Sequence, residues 1–205
     1  MLVYLRHGAT SLNKGGDQER LRGWLSVPLS AKGILQAKDQ AIRLRNGLKG
    51  PPDSFQTSDL HRALQTSALT SRAIGMDARP DSRIRDWNTG DLAGEKVTDV
   101  LPTLQHYINN PDEPTPNGEA LNTYRQRFEP YMRSLVDAPG VHLVTGHARG
   151  ATILEGIADP EGGVGGDVAA RFLLARPRVN PGGILIINKN WQTKIDNPLE
   201  DIKDE

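Results

Sequence analysis

The sequence predicts an α/β protein, a three-layer α/β/α sandwich with a mostly parallel central sheet. Three observations carry that prediction. The runs Leu2–Leu5 and 141–145 are apolar and four to five residues long, as strands buried on both faces are. Each is cut off by a glycine-containing junction, Arg6-His7-Gly8 and Gly146-His147-Ala148-Arg149-Gly150. Strand-like and helix-like segments alternate, which implies crossover connections and strands running the same way.

Taken in order, residues 14–29 form a polar, glycine-containing stretch with Trp24, Leu25, Val27 and Leu29 as apolar anchors, a long ordered loop. Ser30 is a good N-cap for a helix over 31–48, whose apolar side would hold Ile34, Leu35, Ala41, Ile42 and Leu44. Gly47, Gly50 and Pro51-Pro52 end it. A short strand over 53–57 leads to a helix over 59–74, capped by Ser58-Asp59, with Arg62 in its first turn. A third strand is expected within 78–86, then the turn-rich stretch 87–94.

Residues 95–136 read as a helical cap over the sheet, interrupted at Pro102 and again over 109–118, with a second helix from Glu119 to Leu135. The strand at 141–145 is followed by a helix to Ile157, a glycine-rich loop over 159–167 and a short helix over 168–175. Residues 184–187 and 191–195 read as a closing hairpin, and the acidic tail as frayed. The 205 residues are expected to form a single domain.

Composition narrows the function. The formal net charge is zero, which argues against nucleic acid or an anionic membrane as partner. There is no cysteine, hence no disulfide framework, thiolate metal site or cysteine nucleophile. The start has no basic n-region and no stretch is long enough to span a bilayer, so a soluble cytoplasmic protein is expected.

The strand-to-helix junctions carry Arg6 and His7, Arg62, and His147. In a parallel sheet these lie on one edge, where ligands bind. Each residue alone has a plain structural reading, as a satisfied core histidine or a surface ion pair. Four together point to an anion site with an imidazole that can attack or protonate. A metal site is the competing reading of two histidines. Arginines do not coordinate metals, and neither histidine has an Asp or Cys at ligand spacing beside it.

The chain resembles the histidine phosphatase superfamily, with the phosphoglycerate mutase-like fold. The resemblance rests on Arg6-His7-Gly8-Ala9-Thr10 with Asn13, Leu21-Arg22-Gly23-Trp24 with Pro28-Leu29-Ser30, and Ser58-Asp59-Leu60-His61-Arg62-Ala63 with Gln65-Thr66. Gly90-Asp91-Leu92-Ala93-Gly94, Pro116-Asn117-Gly118-Glu119 with Arg127, and Gly146-His147 complete it in the family's order. The resemblance implies a phosphohistidine enzyme that needs no metal and no other cofactor. His7 would be the nucleophile, while Arg6, Arg62 and His147 hold the phosphoryl oxygens. Thr10, Asn13 and Gly23 would line the pocket. Two guanidiniums and a protonated imidazole can stabilise the charge that a metal stabilises elsewhere.

At three places the sequence departs from the family. Asp86 stands where a glutamate general acid is usual and is one methylene shorter. Ala148-Arg149 follow His147 where small or amide residues are usual, and Arg22 replaces a neutral residue. Asp86 is expected to be the general acid, with burial beside phosphate oxygens favouring its protonated form. Glu119 is the alternative, against a plain reading as a first-turn helix carboxylate. Arg22, Ala148 and Arg149 border the expected pocket. The two arginines suggest a substrate with more negative charge than one phosphate, unless they merely pair with carboxylates such as Glu19 and Glu155.

The expected function is therefore phosphomonoester hydrolysis of a small phosphorylated metabolite, with a homodimer as a candidate assembly. A phosphoglycerate mutase and a non-catalytic phosphate-binding module are the alternatives. The short chain and the Gly90–Gly94 stretch favour the phosphatase.

Overall fold

Successive side chains of a strand point to opposite faces, and the first strand, β1 (Leu2–Arg6), has a complete core on each side. In the computed structural model, which describes residues 1–159 and 178–198, Leu2 and Tyr4 enter one apolar cluster and Val3 and Leu5 another. The loop expected over 159–167 beyond its first residue, the helix expected over 168–175 and the acidic tail lie outside the described residues.

The other strands are β2 (Ser54–Thr57), β3 (Arg79–Pro80), β4 (His142–Gly146), β5 (Ile184–Ile187) and β6 (Thr193–Asp196), in the spatial order β3-β2-β4-β1-β5-β6. The pairs from β3 through β1 are parallel, and β5 is antiparallel to both β1 and β6. The helices are α1 (Ala31–Gly47), α2 (His61–Ile74), α3 (Val97–Asn109), α4 (Leu121–Asp137) and α5 (Ala148–Ala158). Leu44 of α1 and Ile74 of α2 pack with Val3, Leu5 and Phe55 on one face. Leu104 of α3, Phe128 and Met132 of α4, and Leu154 of α5 pack with Leu2, Tyr4 and Val144 on the other. Among the described residues no helix is long and apolar enough to cross a membrane.

Several local expectations fail for physical reasons. Ala41 and Leu44 are buried as expected, but Ile34, Leu35 and Ile42 are 38, 49 and 50% exposed, and α1 buries Gly33, Gln36, Ala37 and Gln40 in their place. That face must serve backbone groups at the end of β1. Gln36 Oε1 accepts from the Ala9 N–H at 2.8 Å, and Gln40 Nε2 donates to the Arg6 carbonyl at 3.0 Å. The Ser30 cap is as expected, its hydroxyl accepting from the Gly33 N–H.

The α2 cap is not. Its N-cap is Leu60, while Asp59 pairs with Arg85 and Ser58 turns to His147. The expected third strand shrinks to Arg79–Pro80, because Asp81 accepts from the Arg83 N–H and caps a 3-10 turn over Ser82–Ile84. Pro102 sits inside α3 without breaking it. One lost backbone bond is outweighed there by burial of Val100, Leu104 and Ile108. The second hairpin strand begins at Thr193, since Trp191 lies in the turn with φ 58°.

The start of α1 crosses the loop after β1 at backbone contact. A Cβ at Gly33 would overlap the Ala9 carbonyl, and one at Gly8 the Gly33 carbonyl. Gly33→Ala should therefore lower stability by about 1–2 kcal/mol in urea unfolding. Overpacking costs about 1–3 kcal/mol, and the helix-propensity gain of about 1 kcal/mol offsets only part of it. Unchanged or increased stability would show that the loop yields.

Candidate active site

Parallel register delivers the site. Arg6 of β1 lies opposite Gly146 of β4, and Thr57 of β2 lies opposite Thr145 of β4, so the three strands end side by side. The next N–H groups continue the ladder, His7 to the Gly146 carbonyl at 3.1 Å and Ser58 to that of Thr145 at 2.9 Å. His147 thus falls between His7 and Ser58. Its Nε2 shares a 2.8 Å hydrogen bond with Ser58 Oγ, and its ring meets that of His7 edge-on with centroids 5.2 Å apart. All three side chains are buried.

His7 is held in one tautomer. Nδ1 is 2.7 Å from the Gly8 carbonyl, which can only accept, so Nδ1 carries the proton. Nε2 is left with its lone pair, which accepts from Arg62 Nε at 3.3 Å. Burial, then the charge of Arg62 and the neighbouring His147, push the His7 pKa well below its ordinary value. The ring is neutral at physiological pH. Burial first and then Arg62, Arg22, Arg127 and Arg149 push His147 down as well. The imidazole expected to be protonated is therefore neutral in the unliganded protein, because burial withdraws it from water and the charges of four guanidiniums add to that. Its Nδ1 has no partner among the described residues.

The two cradle arginines are anchored by backbone carbonyls. Arg6 Nη1 donates to Val179 at 2.6 Å, and Arg62 donates to Gly23 at 2.9 Å and Leu25 at 3.1 Å. Burial lowers both pKa values to about 10, which leaves both side chains cationic at neutral pH. Thr66 Oγ1 accepts from the Gly8 N–H and donates to the Arg62 carbonyl, tying α2 to the loop after β1.

That loop is internally braced. Asn13 Oδ1 accepts from the Thr10 N–H and hydroxyl at 3.0 and 3.1 Å, and its amide donates to Glu19. Arg22 pairs with Glu19 at 2.7 Å, the carboxylate partner considered for it. Its charge still reaches Arg6, Arg62 and His147. Gly23 has φ 45° and packs on Thr89, where a side chain would collide with the hydroxyl. Among the anchors expected in the loop, Leu29 is buried while Leu25 is 37% exposed.

Asp86 closes the other side. The residue is 4% exposed, with Oδ1 accepting from the Trp87 N–H at 3.0 Å and Oδ2 from Arg149 Nη1 at 3.1 Å. Its backbone carbonyl accepts from Trp24 Nε1 and from Arg127 Nη2, both at 2.8 Å. Arg127 also donates to the carbonyls of Arg83 and Arg85 and pairs with Glu119 at 2.6 Å. Glu119 accepts a further bond from the Asn88 N–H at 2.8 Å. It precedes α4, which starts at Leu121, so it is not a first-turn helix carboxylate. Its oxygens are committed to bracing the loop that carries Asp86.

Arg149 pairs with Asp86, and Glu155 pairs with Arg178 instead. Ala148 is the half-buried first residue of α5. Among the described residues no three His, Asp or Glu side chains are grouped to hold a metal ion.

Tyr4 and Gln40 were not singled out as site residues in the sequence. The Tyr4 hydroxyl accepts from the His147 N–H at 2.7 Å and donates to its carbonyl at 3.0 Å. Gln40 Nε2 holds the Arg6 carbonyl and, at 2.8 Å, that of Gly183. A phenol inside an apolar strand and glutamines on a glycine- and alanine-lined helix face were the available signals.

The geometry agrees with the comparisons. The profile of the histidine phosphatase superfamily (branch 1) matches residues 2–155. The protein named Probable phosphoglycerate mutase GpmB of Escherichia coli O1:K1 is 31% identical over 144 residues, 67% of this chain and 64% of that one. The chain thus matches a little under two thirds of that relative's length. A phosphoglycerate mutase from Thermus thermophilus superposes with TM-score 0.68 at 24% identity, over 97% of this chain and 99% of the other. A mycobacterial glucosyl-3-phosphoglycerate phosphatase superposes with TM-score 0.69 at 22% identity, over 96% of each chain. These two likenesses establish the phosphoglycerate mutase-like fold. With the profile match spanning most of its length, the chain belongs to the histidine phosphatase superfamily.

Proposed function

We propose that the protein is a metal-independent phosphomonoester hydrolase acting through a phosphohistidine at His7, on a small phosphorylated metabolite. The observation that carries this reading is the neutral His7 ring, its Nδ1 proton bound to the Gly8 carbonyl and its Nε2 lone pair facing Arg62. In the reaction Nε2 attacks phosphorus, displacing the Arg62 contact, and the ester P–O bond breaks. The electron pair of that bond passes to the leaving oxygen, which takes a proton from the Asp86 carboxyl group. Asp86, now a carboxylate, removes a proton from water as the water attacks phosphorus. The P–N bond breaks, its electron pair returns to Nε2, and phosphate leaves.

Arg6, Arg62 and His147 hold the equatorial oxygens, where charge stabilisation matters most in phosphoryl transfer. The Gly8 carbonyl keeps the tautomer throughout. Glu119 and Arg127 act behind Asp86 by fixing its backbone.

The test is turnover of p-nitrophenyl phosphate and glycerol phosphate in EDTA-treated protein, with a denaturing quench to trap phosphoenzyme. Turnover surviving chelation, with a phosphoryl group stable in alkali and labile in acid, is the expected result. The relative named as a mutase favours a second reading, isomerisation of phosphoglycerate. Isomerisation primed by bisphosphoglycerate, with little release of phosphate, would replace hydrolase with mutase. Neither activity and no phosphoenzyme would leave a phosphate-binding module.

A further inference from the structure

Two departures from the family pattern touch each other. Asp86 replaces the usual glutamate, Arg149 replaces a small or amide residue, and they form one ion pair of 3.1 Å. The contact is single and replaceable. Among the described residues it is the only hydrogen bond Arg149 makes, and the guanidinium lies over the Trp87 ring with its remaining N–H groups uncommitted. The Arg149 side chain is 16% exposed, against 6% for that of Asp86, so it is the more accessible member of the pair. It stands in the first turn of α5, two residues after His147 and on the strand edge that carries His7 and Ser58.

A charge count then bears on the substrate. Arg22 is balanced by Glu19, Arg127 by Glu119 and Arg149 by Asp86. Arg6 and Arg62 are left for a phosphoryl dianion. Asp86 must carry a proton to serve as the donor, and once it does, Arg149 faces a neutral acid. A largely buried cation without an anion is costly. Resting on the hydrolase reading, we infer that Asp86 is a place-holder on Arg149, which exchanges it for an anionic group on the alcohol portion of the substrate. The leaving oxygen must reach Asp86, and Arg149 contacts that same carboxylate. The second anion therefore sits only a few bonds from the ester oxygen. The substrate class is a phosphate ester whose alcohol bears a nearby carboxylate or second phosphoryl group, and Arg149 is its specificity residue.

Non-hydrolysable probes separate this from the hydrolase reading. Propylphosphonate, 3-phosphonopropionate and 1,2-ethylenediphosphonate are titrated calorimetrically into the full chain and into Arg149→Met, Asp86→Asn, the double variant and Arg149→Lys. The wild type should bind an anionic probe roughly tenfold more tightly than propylphosphonate, the scale of one charge-assisted hydrogen bond. The arm that shows the preference identifies carboxylate or phosphoryl as the second anion. Asp86→Asn, which removes the competitor, should widen the ratio by about a further tenfold. Arg149→Met should bring it to within about twofold of unity in either background, and Arg149→Lys should keep part of it. Because the readout is a ratio, a general weakening of the cradle does not affect it, and binding of propylphosphonate by each variant reports that the fold is intact. A preference that survives Arg149→Met, or that Asp86→Asn leaves unchanged, overturns the exchange. Exchange without any turnover would instead sink the hydrolase reading alone.

Discussion

Replacing His7 with alanine is expected to lower turnover of every phosphate ester by about four orders of magnitude or more, the scale seen when a covalent nucleophile is removed. The quenched protein should carry no acid-labile phosphoryl group. No other side chain in the site can substitute. The His147 Nε2 is occupied by Ser58, and the ring of His7 alone has both its proton anchored and its lone pair directed at Arg62. Binding should survive better than catalysis, because backbone carbonyls hold the guanidiniums of Arg6 and Arg62, and the imidazole adds only the 3.3 Å contact to Arg62 Nε. Inorganic phosphate should therefore still bind to His7→Ala within about tenfold of the wild type. Appreciable turnover in this variant would move the nucleophile elsewhere.

The second large effect separates Asp86 from Glu119. Asp86→Asn should lower turnover of glycerol phosphate by about 10²–10⁴, the usual contribution of general acid catalysis, and that of p-nitrophenyl phosphate far less, since nitrophenolate leaves without a proton. Glu119→Gln should affect the two esters alike. Its carboxylate braces Arg127, which in turn holds the carbonyls of Arg83, Arg85 and Asp86, so its loss loosens a loop and removes no proton donor. The reverse pattern, with Glu119→Gln selective for the alkyl ester, would show that Glu119 reaches the leaving oxygen and that Asp86 does not.

The cradle was legible in the sequence because the features that build it are periodic and local. Apolar runs ending in Arg6-His7 and Gly146-His147 are strand ends, and parallel register brings such ends together without any further information. Arg62 was legible for the same reason, sitting one residue into a helix that follows a strand. What the sequence hid is long-range. Arg149 finds its carboxylate 63 residues away at Asp86, and not further along its own helix at Glu155. Tyr4 reaches His147 across 143 positions. The glutamines of α1 defeat hydropathy patterning, since much of the face turned to β1 serves hydrogen bonds and close approach, and Ile34, Leu35 and Ile42 are left outside. Pro102 shows the opposite failure, a local breaker overridden by burial.

The hydroxyl of Tyr4 lies where Gly146 and Gly150 have no side chains, and a Cβ on either glycine would overlap it. Those three letters, spread over both ends of the described chain, are one word. Phenylalanine at position 4 would strip the His147 N–H of its partner and leave the carbonyl only the Ala151 N–H. It would not make room for alanine at 146 or 150, where ring carbons of residue 4 and of Phe128 would still lie 2.6 and 2.8 Å from the new Cβ. Neither change rescues the other. Drift among relatives of this chain should therefore leave all three positions in place, and a residue that never meets the phosphate would be inherited as strictly as those that do.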